Sequence, residues 1–431
     1  MTGGLRVQTV QQQLVSRPLP DAAAAVASQL ADLRAGLNVR PGASVAVGCS
    51  SRGIRNYAVI VGAVVNGLKG LGYEPFCFPA MGSHGSATAA GQVEVLAQAG
   101  ITEESMGCPI RSSLDVESLG QLPGGMPVVM DKHAYDADAF VVVNRVKPHT
   151  EFTHPFESGL MKMIAIGMGK EFGATVYHRY FLRDGYGETI EAIVDRITAV
   201  RPLLFGVGIA EDGHGDTAEV HVMPAATLRS DEASMLDRVR AMMPKLPFDD
   251  IDVLVIDEMG KDISGSGFDT KIVGRLSMPL LGPDPQRPRI KRLVVCDLTD
   301  ASNGNADGVG IADFITARLH DKIDRRALYV NALAGSEPEH ARIPMVLPTD
   351  REAVEAAIAT IGPVDAESLR LMHIRNTKDL ATIEISGALV AECRDREDLT
   401  LVGDPFPLSY TDDALTSLRP PAVPFPKREK S

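Results

Sequence analysis

The chain reads as an α/β protein of two domains, and three observations predict it. Short β-branched runs, Ser44–Gly48 and Ala139–Asn144 among them, each end in a polar or glycine-rich loop. Helical stretches alternate with them: Tyr57–Leu68 after the first run, and Thr88–Ala99 after the strand Glu74–Pro79. Alternation of that kind implies a parallel sheet with helices packed on it. Finally, Pro244 and Pro247 stop a helix and a fresh strand, Ile251–Ile256, opens directly afterwards. The boundary divides a Rossmann-like parallel-sheet domain over 1–248 from a smaller C-terminal α/β domain over 249–419, with a tail over 420–431. At 431 residues the chain is long for one core, which agrees with the division.

The elements follow in order. Asp21–Leu37 carries Val26, Leu30 and Leu33 at helical spacing, with Asp21 placed as its cap. Ile190, Ile193, Val194 and Ile197 mark another helix, and Leu203–Ile209 a strand. A helix start is written at Ser230, Asp231 and Glu232, where acidic residues suit the positive end of the helix dipole. In the second half, strands are expected at Leu293–Cys296, Ala327–Val330, Leu369–Ile374 and Thr382–Ile385, and helices at Gly310–Leu319 and Arg351–Ile361.

Composition narrows the function. A net charge of −13 disfavours nucleic acid and anionic lipid as partners, because both need a basic surface. No stretch of about 18 apolar residues and no leader-like segment is present, so a cytoplasmic protein acting on a small molecule is expected. The five cysteines are scattered without a C-x-x-C pair, which predicts neither a disulfide framework nor a zinc knuckle.

The chemistry concentrates between Val141 and Tyr180, which holds His149, His154, His178 and Lys162. Lys162 sits among Met161, Met163, Ile164 and Ile166, a setting too apolar for an ordinary solvated lysine. It either snorkels its ammonium to water or is a desolvated amine able to bond a carbonyl or thiocarbonyl carbon. Gly167, Gly169 and Gly173 are expected to bend the chain between Lys162 and His178. His178 is a packing histidine or a neutral imidazole ligand suited to zinc, nickel, copper or iron. Ligands of parallel sheets collect beyond the carboxyl ends of strands, and Arg52, His84 and His149 all fall there. His84, in G-S-H-G-S, is equally compatible with a turn residue capping a helix. The spacing of Gly167, Gly169 and Gly173 does not fit a dinucleotide loop, and Asp212, His214 and Asp216 read as a solvated turn.

Together G-S-H-G-S at 82–86, V-K-P-H at 146–149, S-G-L-M-K at 158–162 and His178 resemble the nickel-dependent lactate racemase family, with its relatives acting on other 2-hydroxy acids. The resemblance implies a site in the cleft between two domains and a nickel-pincer nucleotide joined covalently to Lys162, with His178 as nickel ligand. It implies that His84 and His149 exchange the substrate hydroxyl proton from opposite faces while hydride moves to the pyridinium ring. Arg52 is placed on the cofactor phosphate and Lys271 on the substrate carboxylate, and proteins that build the cofactor become partners. The chain departs from the family in carrying Cys49 where an acidic residue often stands, in having no tryptophan, in reading S-G-L-M-K for S-G-G-x-K, and in a longer gap from His149 to Lys162. His154 therefore stays a rival to His149. A metal-dependent lyase or hydrolase lacking the pincer, or a carboxylate-binding protein without catalysis, are the alternative readings.

Overall fold

A computed structural model describes residues 4–37, 39–51, 53–150, 152–278, 280, 283–416 and 418. Two compact units emerge: Val15–Met243, and Met1–Leu14 together with Pro244–Ser431. Each is an α/β layer structure with its own sheet.

In the first unit five strands lie in the order Glu74–Pro79, Ser44–Cys49, Ala139–Arg145, Leu203–Glu211, Thr217–Pro224. The first four run parallel and the last is antiparallel. Both faces are buried, so these strands read as continuous apolar runs rather than alternating ones. Val45, Val47, Val141 and Val143 pack on one side with the helix Tyr57–Gly70. Ala46, Phe76, Phe78, Phe140 and Val142 pack on the other with Met161, Ile164 and Tyr177. As expected, Asp21 caps the first helix, its carboxylate accepting from the Ala24 N–H. The later helix runs Leu228–Met242, beginning before Ser230.

The second unit holds an eight-stranded sheet. Five parallel strands, Met345–Leu347, Phe314–Thr316, Arg289–Leu298, Asp250–Met259 and Leu371–Asn376, continue into antiparallel Asp379–Ser386, Arg6–Gln12 and Leu399–Pro407. Three expectations are corrected here. Residues 6–12 belong with this sheet and not with the N-terminal domain, because they pair on both sides with strands from the end of the chain. Ala327–Val330 is helical, inside Arg325–Gly335, where Asp324 accepts from the Arg326 and Ala327 N–H groups. Gly310–Leu319 is split into a turn, the strand Phe314–Thr316 and the short helix Ala317–Asp321. The hairpin Val116–Gln121 with Pro127–Asp131 is an addition to the expected elements. The tail from 420 lies outside the described residues. Among the described residues no helix is long and apolar enough to cross a membrane.

A candidate active site around Lys162

The sheet order of the first unit reverses at Ser44–Cys49: the chain leaves that strand for one neighbour and returns on its other side at Ala139–Arg145. Such a switch point opens a crevice beyond the carboxyl ends of the two strands. The loop leaving Ala139–Arg145 enters it. Lys147 pairs backbone to backbone with Ser158, closing a loop that carries His149 and His154. Inside that loop the buried Glu157 carboxylate accepts from the backbone N–H of His149 and of His154. Arg240 holds its Oε1 at 2.6 Å. The residue that pins the loop is thus a fully buried carboxylate whose charge is matched by a guanidinium.

Ser158 leads into a short helix, Leu160–Lys162, that continues as a π-helical turn, Met163–Gly167. Two features fix where this helix starts. The Asn144 amide donates to the Gly159 carbonyl at 2.9 Å, and the buried Glu232 carboxylate accepts from the Met161 N–H at 2.9 Å. A Cβ at Gly159 would fall 2.1 Å from Glu232 Oε1, so the close approach requires glycine. Burial pushes the Glu232 carboxyl up to about 7, against the pull of the N–H groups it caps.

Lys162, half-buried, points its amine at His149, with Nζ 2.6 Å from Nε2. Tyr186 faces both, its ring centroid 5.7 Å from Nζ and 5.4 Å from the His149 ring. Phe181 packs against Tyr186 at 4.1 Å and meets the His178 ring edge-on at 5.4 Å. One aromatic chain therefore links His178 to the Lys162–His149 pair. A carbonyl oxygen can only accept, so the contact between His178 Nδ1 and the Ala174 carbonyl puts the proton on Nδ1. Nε2 then carries the lone pair that a metal ligand needs.

The expected bend between Lys162 and His178 is present. The π turn comes first, then Lys170 at a φ of +54°, then the helix Lys170–Asp184 bearing His178. Gly167 lets the turn touch the loop beyond Glu74–Pro79: a Cβ there would lie 2.4 Å from the Ala80 carbonyl oxygen, and the Gly82 N–H donates to the Gly167 carbonyl. His84 stands two residues further along that loop, exposed. Lys170 is completely buried against Asp131, 2.9 Å away, and donates to Gln92 and the Pro79 carbonyl. Gln92 in turn donates to the Gly82 and His84 carbonyls, which fixes the His84 loop.

The structure thus brings Lys162 and His149 into contact, joins His178 to them only through Phe181 and Tyr186, and sets the His84 loop against the same π turn. His154 packs on Gly187, where a Cβ would meet its Nε2 at 2.1 Å, and of the two rival histidines it is His149 that touches Lys162. Arg52 lies outside the described residues. Lys271 belongs to the other unit, in the short helix Thr270–Val273 capped by Asp269. Asp212 is a turn residue, its carboxylate accepting the N–H groups of Arg17, His214 and Asp216.

Sequence reasoning missed Glu157, Lys170, Tyr186 and Glu232. Only Glu232 left a signal: with Met235, Leu236 and Val239 it shares the apolar stripe of its helix, a face where a carboxylate must be buried. Among solved structures the chain is similar to the lactate racemase apoprotein from Thermoanaerobacterium thermosaccharolyticum, with 14% identity over 66% of this chain and 69% of that one, and a TM-score of 0.44. No family model and no curated protein matches the chain.

Proposed function

We propose that this protein racemises or epimerises a 2-hydroxy acid, with a nickel-pincer nucleotide held by the Lys162 amine and the His178 imidazole. The contact between Lys162 Nζ and His149 Nε2 carries the reading. An amine and an imidazole within hydrogen-bond distance of each other offer a nucleophile for cofactor attachment and a base for a substrate hydroxyl. The donor set fits the group: a half-buried amine in an apolar helix turn, and an imidazole whose proton sits on the nitrogen facing a carbonyl. When bound, the cofactor would supply an electron-poor ring to take the substrate hydrogen as hydride. Everything else falls to the chain. His149 and His84 move the hydroxyl proton, one for each face of the substrate carbon. Tyr186 and Phe181 wall the crevice with apolar rings and so exclude water. Arg52 grips the cofactor phosphate, while separate cofactor-building proteins act as partners.

The test is a screen of 2-hydroxy acids in deuterated water, using protein produced beside the cofactor-building proteins with nickel. Inversion at carbon 2 that keeps the original hydrogen supports the proposal, and His84→Ala and His149→Ala should each abolish it while cofactor loading persists. Inversion with solvent deuterium at carbon 2 would instead mean proton abstraction, and no inversion of any 2-hydroxy acid would remove the racemase reading.

A further inference from the structure

A second cluster of ligand-type side chains lies wholly within the unit containing 244–418. Asp307, Glu337 and His340 are 2%, 5% and 0% exposed, and one ligand atom from each lies within 4.8 Å of the others. Three local facts give the cluster its chemistry.

The His340 Nε2 faces the Leu276 carbonyl oxygen at 3.1 Å, so it must carry the proton and donate. In the neutral ring Nδ1 then holds the lone pair, and it faces Glu337 Oε2 at 3.1 Å. Two lone pairs at that distance repel unless a proton or a metal ion joins them. The third fact concerns Asp307. Its Oδ2 accepts from Lys261 Nζ at 3.0 Å and from the Asn331 amide at 3.1 Å, whereas its buried Oδ1 accepts no hydrogen bond. A buried carboxylate oxygen with no donor costs on the order of 1–3 kcal/mol.

We propose that Asp307, Glu337 and His340 bind one divalent transition-metal cation, of the zinc or manganese class. An imidazole donating its other N–H to a backbone carbonyl is the arrangement that orients a histidine ligand. The Nδ1–Oε2 separation is close to the ~3.3 Å edge of a tetrahedron around an ion with bonds of about 2.0–2.1 Å. Two carboxylates neutralise the ion, and Lys261 restrains Asp307 from its far oxygen. The ion joins the segment around Asp307, which follows the strand Arg289–Leu298, to the turn that follows the helix Arg325–Gly335. Its role is therefore to lock two segments of this unit, independently of Lys162 and His178.

The test uses the full chain made without the cofactor-building proteins, in a His178→Ala background so that this imidazole is not counted. After chelator stripping it is titrated with Zn²⁺ and with Mn²⁺. One equivalent of at least one ion should bind, the melting temperature should rise, and both effects should vanish in Asp307→Asn and His340→Gln. Crystals grown with the bound ion should show an anomalous difference peak between the three side chains, which decides the matter even if a variant fails to fold. No uptake, or a peak only elsewhere, would overturn the proposal and leave the pair as a protonated imidazole on Glu337.

Discussion

Lys162 and Lys170 stand at the two ends of one π-bulged segment and differ in how deeply they are buried. Lys170 is sealed in the core with an acidic partner, Asp131, and two oxygen acceptors around its amine. Burial pulls its pKa down while Asp131 pulls it back, with the burial prevailing. Lys162 is half-buried and meets an imidazole and an aromatic face. A buried ion pair fixes structure, whereas an imidazole set beside an amine is a proton acceptor within its reach. On the proposed function, Lys162 is singled out by the imidazole within its reach and not by burial, which is deeper at Lys170.

Breaking the structural member should have the larger effect on stability. Lys170→Met strands the Asp131 charge in the core and should cost about 3–5 kcal/mol in urea unfolding. Adding Asp131→Asn, which keeps the oxygen that caps Ala134, should restore most of the loss. Lys162→Ala should change the same measurement by less than about 1 kcal/mol.

Glu232 sharpens the contrast through pH. Its folded pKa, raised by burial to about 7, lies above the unfolded value, so the protonated form favours folding. That contribution is complete below the unfolded pKa and is lost as pH rises through about 7, on the order of 3 kcal/mol in all. Glu232→Gln should therefore flatten the fall in melting temperature between about pH 4.5 and 8, while leaving the stability at low pH nearly unchanged.

Gly159→Ala should cost ~1–3 kcal/mol, since its methyl enters the space of the Glu232 carboxylate. The helix bearing Lys162 must shift in response. Mapping by mass spectrometry should then show altered labelling at Lys162 with Lys170 still protected.

How much of this was legible follows from range. The strands of the first sheet were readable because burial on both faces leaves unbroken apolar runs such as Val45–Val47. The apolar stretch around Lys162 was readable because Met161, Met163, Ile164 and Ile166 stand beside it in the chain, whereas Tyr186, which faces its amine, was not. Short apolar runs do not separate a strand from a helix, and Ala327–Val330 was misread although Asp324 stood in front of it as a cap. Arg6–Gln12 carries glutamines where a buried strand would alternate, and its place depends on partners hundreds of residues away. Lys170 meets Asp131 only in the folded chain, and nothing beside it in sequence announces the pair.

The proposed function depends most directly on the chemistry of one amine. Intact-protein and peptide mass spectrometry on the chain produced with nickel and the cofactor-building proteins should find an added nucleotide-derived mass on Lys162, absent from Lys170 and from the Lys162→Ala variant. An unmodified Lys162 in protein made under those conditions would contradict the proposed function.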